Sequence, residues 1–384
     1  MPDVTPSILP IILAEMDTIF NTKATVNAEL TNVPVTAPAV LEKQNVNINP
    51  LFVGAGERCT GVRVVYQIAD DTIVDAMSST PISGECDLTT GDRISTKAVD
   101  YDLNLFDKQY IQVNDDDCDN LIKFAQRVAF NLAQKQHMMV RAFNDEVINL
   151  LETNKSTASI GTGLPDDVTI SGGEYTITGA NFWKGEGAAD TLAILDQLAR
   201  LKGLPMNYYI ISGKAMRVPY DLAQDKQVND NQRSFALTFQ RRDIFWDEDN
   251  LDAVIGAEVI FLVDPNSIVF YPIAEYPRID DGSLSSDVYE VGDKNNTLRF
   301  SMPLSFYNMY QDGDMSMTPL MYANNGTMET VYIDVRYQKT CNSTDSKYGK
   351  PSLDHVWELD FASLLDVIPK EGDNSGIIRV NKAL

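Results

Sequence analysis

The sequence predicts an α+β fold built around one unusually long helix. Residues 120–152, NLIKFAQRVAFNLAQKQHMMVRAFNDEVINLLE, contain neither Gly nor Pro. Stretches with alternating apolar residues occur on both sides of this segment and predict β-strands. Together these two patterns favour a mixed fold in which a long helix supports several β-rich parts of the chain.

The composition is that of a globular protein with a strong excess of acid. Hydrophobic residues make up 44% of the 384 residues and charged residues 22%, which is enough apolar material for a sizeable core. There are 31 Lys and Arg against 55 Asp and Glu, so the formal net charge is −24. Such a charge repels phosphate backbones and anionic lipid, and it keeps a concentrated protein soluble. Sequence-specific binding of nucleic acid is therefore not expected.

No targeting segment, membrane span, metal site or disulfide framework is expected. No Lys or Arg precedes the apolar residues 8–13, and no apolar run approaches the roughly 18 residues of a membrane helix. The four cysteines are scattered without the spacing of zinc ligands; they are Cys59, Cys86, Cys118 and Cys341. The protein is therefore expected to be made in a reducing cytoplasm and to need no cofactor.

The first part of the chain predicts an arm followed by a long hairpin. Residues 1–50 hold one aromatic residue and are interrupted by several prolines, so we expect an extended arm that lies on another surface. In residues 51–114, the stretches GVRVVYQIADDTIVDAM and RISTKAVDYDLNLF alternate in polarity around a polar middle. This pattern predicts an extended β-hairpin with a polar distal part.

The long helix is expected to start after an acidic cluster at 115–119, because negative charge stabilises the amino end of a helix. At 1.5 Å per residue it would form a rod on the order of 55 Å long. Its apolar residues recur with a mean spacing of about 3.6, the period of a straight helix packed on a globular body. They are Leu121, Ala125, Val128, Leu132, Met139, Phe143, Val147 and Leu150, with Gln136 as the polar exception.

Three further regions follow. Residues 115–186 close with a hairpin, VTISGGEYTIT, about Gly172 and Gly173. Residues 187–325 mix a helix near 192–201, a buried strand NYYIIS, a short helix GKAMRVPYDLAQ, and two strands in AEVIFLVDPNSIVFYPI. Residues 326–384 contain the strands ETVYIDVRYQKT and HVWELDFASLLDVI, separated by the polar loop CNSTDSKYGKPSLD, and a tail. We expect these last strands to pack with the 168–177 hairpin and the long helix, so that the chain returns to the domain it left near residue 185.

No catalytic, cofactor-binding or metal-binding residue is predicted. His137 and His355 are the only histidines and are expected to be packed or solvent-facing. Near Ser212, the stretch ISGKA lacks the first Gly and the Ser or Thr of a phosphate loop, and it also lacks the frame of a nucleophile elbow. The acidic stretches FWDEDNLD and RIDDGSLSSD do not have the spacing of a calcium loop and are expected to be solvated loops. An enzyme is therefore not predicted.

In its order of elements the sequence resembles the major capsid proteins of tailed bacteriophages, a fold shared with herpesvirus capsid and encapsulin shell proteins. The resemblance is carried by the arm, the hairpin of about 57–112, the helix after DDDCDN, the hairpin VTISGGEYTIT, and the region from LAILDQLARLKGLPMNYYIISGKAMRVPYDL onward. It implies an N-terminal arm (1–50), an extended hairpin loop (51–114), a peripheral domain with a spine helix (115–186), an axial domain (187–325) and C-terminal strands that return to the peripheral domain (326–384).

The resemblance also implies a function. It implies a homo-oligomer that self-assembles as hexamers and pentamers into an icosahedral virion shell around double-stranded DNA, with portal, scaffolding and decoration proteins as further partners. Two alternatives stay open: an encapsulin-type shell around cargo, and a non-enzymatic β-rich tail, baseplate or adhesion protein. Trp183, Trp246 and Trp357 would anchor subunit contacts or fill the core.

Overall fold

A computed structural model describes most of the chain. The described residues are 11–16, 32–52, 59–68, 95–114, 121–157, 163–178, 183, 191–221, 243–279, 297–309, 315–347, 350–370 and 375–383. Four of their helices are numbered: α1 (Thr36–Lys43), α2 (Leu121–Thr153), α3 (Thr191–Leu201) and α4 (Leu251–Ile255). Residues 11–16 and 214–221 are also helical. The α+β class predicted from the sequence is confirmed.

The strands are numbered in chain order. They are β1 (Asn47–Phe52), β2 (Cys59–Ile68), β3 (Ser95–Asp102), β4 (Leu105–Asn114), β5 (Val168–Ser171), β6 (Glu174–Ile177), β7 (Tyr209–Ser212), β8 (Ile244–Trp246), β9 (Val259–Val263), β10 (Ile268–Ile273), β11 (Thr297–Pro303), β12 (Ser305–Met309), β13 (Met315–Pro319), β14 (Met321–Asn324), β15 (Thr327–Thr330), β16 (Tyr332–Lys347), β17 (Lys350–Val367) and β18 (Ile377–Lys382).

Two large sheets form the body. One has the order β10-β17-β16-β11, with β4 also paired to β17, and all its pairings are antiparallel. The other has the order β5-β6-β18-β9-β7-β8. A separate three-stranded sheet, β1-β2-β3, contains the two arms of the predicted hairpin, and β12-β13 and β14-β15 form two small ribbons.

Helix α2 packs on one face of the five-stranded sheet. The predicted apolar stripe is buried, including Gln136, except that Leu150 is partly buried and the side chain of Leu121 lies outside the described part. Phe143 shows the contact: its ring centroid lies 5.3 Å from that of Phe270 on β10 and 5.7 Å from that of Phe361 on β17. Alternate residues of β17, such as Trp357 and Leu359, face this helix and are buried because strand side chains alternate between the two faces.

The ladder between β16 and β17 is longer than the sequence suggested. The stretch CNSTDSKYGKPSLD was expected to be a loop, yet β16 and β17 pair through most of it, from Cys341 opposite Leu353 to Lys347 opposite Lys350. That expectation was wrong because backbone hydrogen bonds, rather than apolar side chains, extend a ribbon once its strands have started to pair.

The partners of the C-terminal strands also differ from the expectation. Strands β16 and β17 pair with β4, β10 and β11 rather than with the 168–177 hairpin. That hairpin, β5-β6, forms about Gly172 and Gly173 as predicted, with both glycines at positive φ. The chain does return to it, but through β18, which lies parallel to β6.

The strands on either side of Pro265 and Asn266 form as predicted but belong to different sheets. Strand β9 lies in the six-stranded sheet and β10 in the five-stranded sheet. The turn therefore connects the two sheets instead of closing a hairpin, and the backbone N–H of Asn266 donates to Asp264 across it at 2.9 Å.

The six-stranded sheet has its own apolar cluster. Leu195 and Leu198 of α3 pack there with Ile210 of β7 and Leu262 of β9. The stretch NYYIIS contains the fully buried strand β7, and GKAMRVPYDLAQ is helical at 214–221, as predicted. This sheet joins strands from the ranges 115–186, 187–325 and 326–384, so the domain boundaries stay a prediction. None of the helices in the described ranges is long and apolar enough to cross a membrane.

We expect Phe143→Ala to lower the free energy of unfolding by about 3–5 kcal/mol, because it opens a cavity between α2 and the five-stranded sheet. Met138→Ala on the same helix is the control, since Met138 is 41% exposed and its truncation should cost less than about 0.5 kcal/mol. Urea denaturation followed by circular dichroism measures both changes. Equal losses of unfolding free energy in the two variants would contradict the packing of α2 on the sheet through Phe143.

Candidate assembly surfaces

The predicted arm is only partly an arm. Its residues 32–50 are docked on the body, because α1 buries one apolar side and is part of the same core as α2. Pro38 does not prevent this helix, since it lies in the first turn, where backbone N–H groups have no partner within the helix. Residues 11–16 are helical, with Ile12 and Met16 buried in that core. The expectation of an extended arm is therefore wrong for these parts, while 1–10 and 17–31 lie outside the described residues.

The amino end of α1 is capped by a residue far along the chain. The preceding residue, Val35, offers no side-chain cap. Instead, the Asp247 carboxylate accepts hydrogen bonds from the Thr36 backbone N–H at 3.0 Å and the Thr36 hydroxyl at 2.7 Å. A negative charge at this position also interacts favourably with the helix dipole.

The same carboxylate joins α1 to two other segments. It accepts hydrogen bonds from the amides of Asn144 on α2 at 3.0 Å and Asn250 at 2.7 Å, and Asn144 in turn accepts from the Ala37 N–H at 2.7 Å. Asp247 is 1% exposed, so these bonds offset the cost of burying its charge. We call Asp247, Thr36, Asn144 and Asn250 the clasp.

The clasp corrects the expectation for FWDEDNLD. A solvated loop was expected, whereas Asp247 and Asn250 are buried and Asp249 is exposed. Close by on α2, burial raises the pKa of Asp145; Arg141 opposes this rise, and the negative charge of Asp247 adds to it.

Replacing Asp247 by Asn should destabilise the fold by about 2–4 kcal/mol, because a charge-assisted cap is lost and an amide donor faces the donors that met the carboxylate. Asp249→Asn removes an equal charge from the same segment and should cost less than about 0.5 kcal/mol. Thermal unfolding of the two variants beside the parent distinguishes the clasp from a general charge effect, and equal Tm values for both variants would contradict the clasp.

The extended hairpin is anchored at its root. Val62 and Val64 of β2 and Tyr101 of β3 pack against Val269 and Leu364 of the five-stranded sheet. The Tyr101 hydroxyl donates to the Val367 carbonyl oxygen at 3.1 Å.

Asn104 completes this anchor by imitating a strand residue. Its side-chain amide donates to the Leu365 carbonyl oxygen at 2.8 Å, while its side-chain oxygen accepts from the Leu365 N–H at 3.0 Å. On the exposed surface of the hairpin, Arg63 and Asp100 lie opposite each other and form a two-bond ion pair at 2.6 and 2.8 Å. This pairing lowers the pKa of Asp100.

The hairpin strands are paired outward as far as Ile68 and Ser95. Residues 69–94, the predicted polar distal part, lie outside the described residues. The hairpin root is therefore fixed to the body at a defined place, and its direction is set there.

We expect Asn104→Ala to loosen this root, because two hydrogen bonds to Leu365 are lost. Amide exchange in β2 and β3 should become roughly tenfold faster, as expected for a loss of about 1–2 kcal/mol. Gln112→Ala, at an exposed position of β4, serves as the control in hydrogen-exchange mass spectrometry. Unchanged protection of β2 and β3 in the Asn104 variant would contradict the anchor.

The residues considered as candidate catalytic residues, His137, His355 and Ser212, make structural contacts. The Nδ1 of His137 accepts from the Tyr307 N–H at 3.2 Å, and the Nδ1 of His355 lies 2.7 Å from the Tyr337 hydroxyl oxygen; both rings are buried. Ser212 is also buried and its hydroxyl donates to the Gly213 carbonyl oxygen.

Within the described part of the chain, no three His, Cys, Asp or Glu side chains are grouped closely enough to hold a metal ion. Among the tryptophans, Trp183 and Trp357 are core residues. Trp246 is partly buried beside Tyr220, with ring centroids 5.2 Å apart.

Comparison with known proteins gives structural neighbours only. No protein-family model and no curated protein matches the sequence. Among solved structures, the chain is similar to the capsid structure of the cyanophage P-SCSP1u, with 11% identity, coverage of 89% of this chain and 87% of that one, and a TM-score of 0.36.

Two further neighbours are also phage capsids. The capsid of Myoviridae phage XM1 has 13% identity, coverage of 91% of this chain and 92% of that one, and a TM-score of 0.36. The mature capsid of bacteriophage PhiM1 has 10% identity, coverage of 84% and 82%, and a TM-score of 0.36. This is the class that the order of sequence elements resembles.

Proposed function

We propose that this chain is the major capsid protein of a tailed bacteriophage. Its copies would self-assemble as hexamers and pentamers into an icosahedral shell that encloses double-stranded DNA in the virion. The observation that supports this most is the combination of a rigid body, in which a long helix backs a five-stranded sheet, with a three-stranded hairpin sheet fixed to it at one root.

The body has the stiffness that a shell subunit needs. Helix α2 has 33 residues, which corresponds to a rod of roughly 50 Å. Its buried face is continuous with the inner face of the five-stranded sheet, so bending the helix would separate apolar side chains on both. A subunit of this kind is suited to transmit force between neighbours with little bending of its body.

The hairpin is the element that would extend from one subunit to the next. Tyr101 and Asn104 hold its root through hydrogen bonds to backbone carbonyl oxygens of β17. From this root, β2 and β3 stay paired as far as Ile68 and Ser95. An element anchored at one end is suited to lie across an adjacent subunit. One polar contact contributes only about 1 kcal/mol, so the strength of a shell would come from repetition and from obligate interfaces of roughly 2,000 Å² or more.

The charge is compatible with this role. A net charge of −24 on each copy gives an acidic protein surface, which does not adhere to packaged DNA through phosphate contacts. DNA would therefore be enclosed without sequence-specific binding. The resemblance of the sequence to tailed-phage major capsid proteins implies portal, scaffolding and decoration proteins as further partners. It also implies assembly in the host cytoplasm and a structural rather than enzymatic role.

Expression of the full chain, followed by sedimentation and negative-stain electron microscopy, tests the proposal. We expect closed particles whose surface shows six-fold and five-fold clusters of subunits. A monomer or dimer at every ionic strength would contradict a shell and favour a tail, baseplate or adhesion protein. Particles that form only around a co-purified enzyme would favour an encapsulin-type shell instead.

A further inference from the structure

The face of the five-stranded sheet that points away from α2 carries two arginines side by side. Trp357 of β17 faces the helix, so the next residue, Glu358, lies on the other face, because strand side chains alternate. Glu358 is paired with Arg336 of β16, and Arg336 is in turn paired with Arg299 of β11. These three side chains therefore form one row across the face, with the two arginines directly opposite each other.

The two guanidinium groups lack close anionic partners. Within the described part of the chain, no acceptor meets the buried Nε of Arg299 or of Arg336. The nearest carboxylate oxygen to Arg336, Oε2 of Glu358, lies 4.0 Å from its Nη1, which is beyond hydrogen-bond distance. The guanidinium group of Arg299 lies 5.6 Å from the ring centroid of Tyr276, a contact that provides no oxygen acceptor.

The carboxylates on this face bind other groups. On β17, Oε1 of Glu358 accepts a hydrogen bond from the Lys108 ammonium group at 2.6 Å, and Asp360 lies 3.4 Å from the same nitrogen. On β16, Asp334 accepts hydrogen bonds from two backbone N–H groups and from the Ser301 hydroxyl. The arginine pair is therefore left with its donors available to an anion from outside the chain.

The geometry of the arginine pair suits a small oxyanion. Side chains directly opposite on paired strands have Cβ atoms about 5 Å apart, so like charges repel there and one anion can bridge both groups. A guanidinium group presents its N–H donors in a planar fork that matches the oxygens of a phosphate. The Arg336 side chain is 42% exposed, so an anion can reach it from solvent.

We propose that Arg299 and Arg336 form a binding site for a phosphate dianion, either free phosphate or the phosphate group of a small monoester. A dianion neutralises both guanidinium groups, whereas a carboxylate or a nucleic-acid diester brings one charge to the site. The net charge of −24 opposes a long polyanion such as DNA. A small anion meets mainly the local field of the two arginines, because salt screens charges farther away than about 8–10 Å. The site belongs to the single chain and does not depend on the proposed shell.

Calorimetric titration of the full chain with inorganic phosphate tests the site, at constant ionic strength and at a pH where the phosphate dianion predominates. We expect saturable binding of a single phosphate, competition by sulfate, roughly tenfold weaker binding of acetate, and no binding of duplex DNA. Acetate that binds as tightly as phosphate, or duplex DNA that binds where phosphate does not, would overturn the inference. The same titration applies to particles and to separate chains.

Substitutions with opposite expected effects assign the binding to this pair. Arg336→Gln should weaken phosphate binding roughly tenfold, because one charged fork is lost. Arg200→Gln removes an exposed arginine from the last turn of α3 and should leave the binding constant unchanged. Glu358→Gln should strengthen phosphate binding, because it removes the negative charge beside Arg336.

Circular dichroism shows whether each variant is folded before the titration. Equal phosphate binding by the parent and a folded Arg336→Gln variant would contradict the site. If Arg336→Gln does not fold, Glu358→Gln decides the question, since unchanged or weaker phosphate binding in that variant would equally overturn the inference.

Discussion

The packing of α2 on the five-stranded sheet is the constraint on which the other elements depend. That sheet draws its strands from four separated parts of the sequence, and buried apolar residues of the sheet and of the helix belong to one core. Neither the helix nor the sheet could keep its buried face away from water alone. The helix is long because the surface to be covered is long.

The same packed body also provides the attachment sites for two other parts of the chain, the segment around α1 and the extended hairpin. Helix α1 is attached to α2 through Asn144, and the hairpin is attached to β17, the strand at the centre of the sheet. Both attachments use polar groups in places where a purely apolar contact would have left the direction undefined. The apolar area supplies most of the stability, and the hydrogen bonds determine the geometry.

Local sequence patterns predicted many of the helices and strands correctly. They could not predict which distant segments pair with each other. The period of α2, the glycine turn of β5-β6 and the buried strand β7 follow from short-range rules, and all three are present. The partners of β16 and β17 were missed because alternation indicates a strand but does not indicate its neighbour. Asp247 was missed for a similar reason: in an acidic stretch, nothing local distinguishes a buried capping residue from a solvated one.

The same limit applies to the candidate surfaces. The hairpin arms were visible in the sequence, but the amide pairing of Asn104 and the pairing of β4 with β17 were not, since β4 seemed only to extend a hairpin arm.

The position of Asp247 has a consequence for synthesis of the protein. The cap of α1 spans 211 residues, so the amino end of this helix finds its acceptor only after more than half of the chain has left the ribosome. Until then, the backbone N–H and the hydroxyl of Thr36 have no carboxylate to meet, although Asn144, the acceptor for Ala37, has already been synthesised. A helix of eight residues is too short to persist unaided in water, so the order of synthesis delays completion of the cap that holds the leading segment.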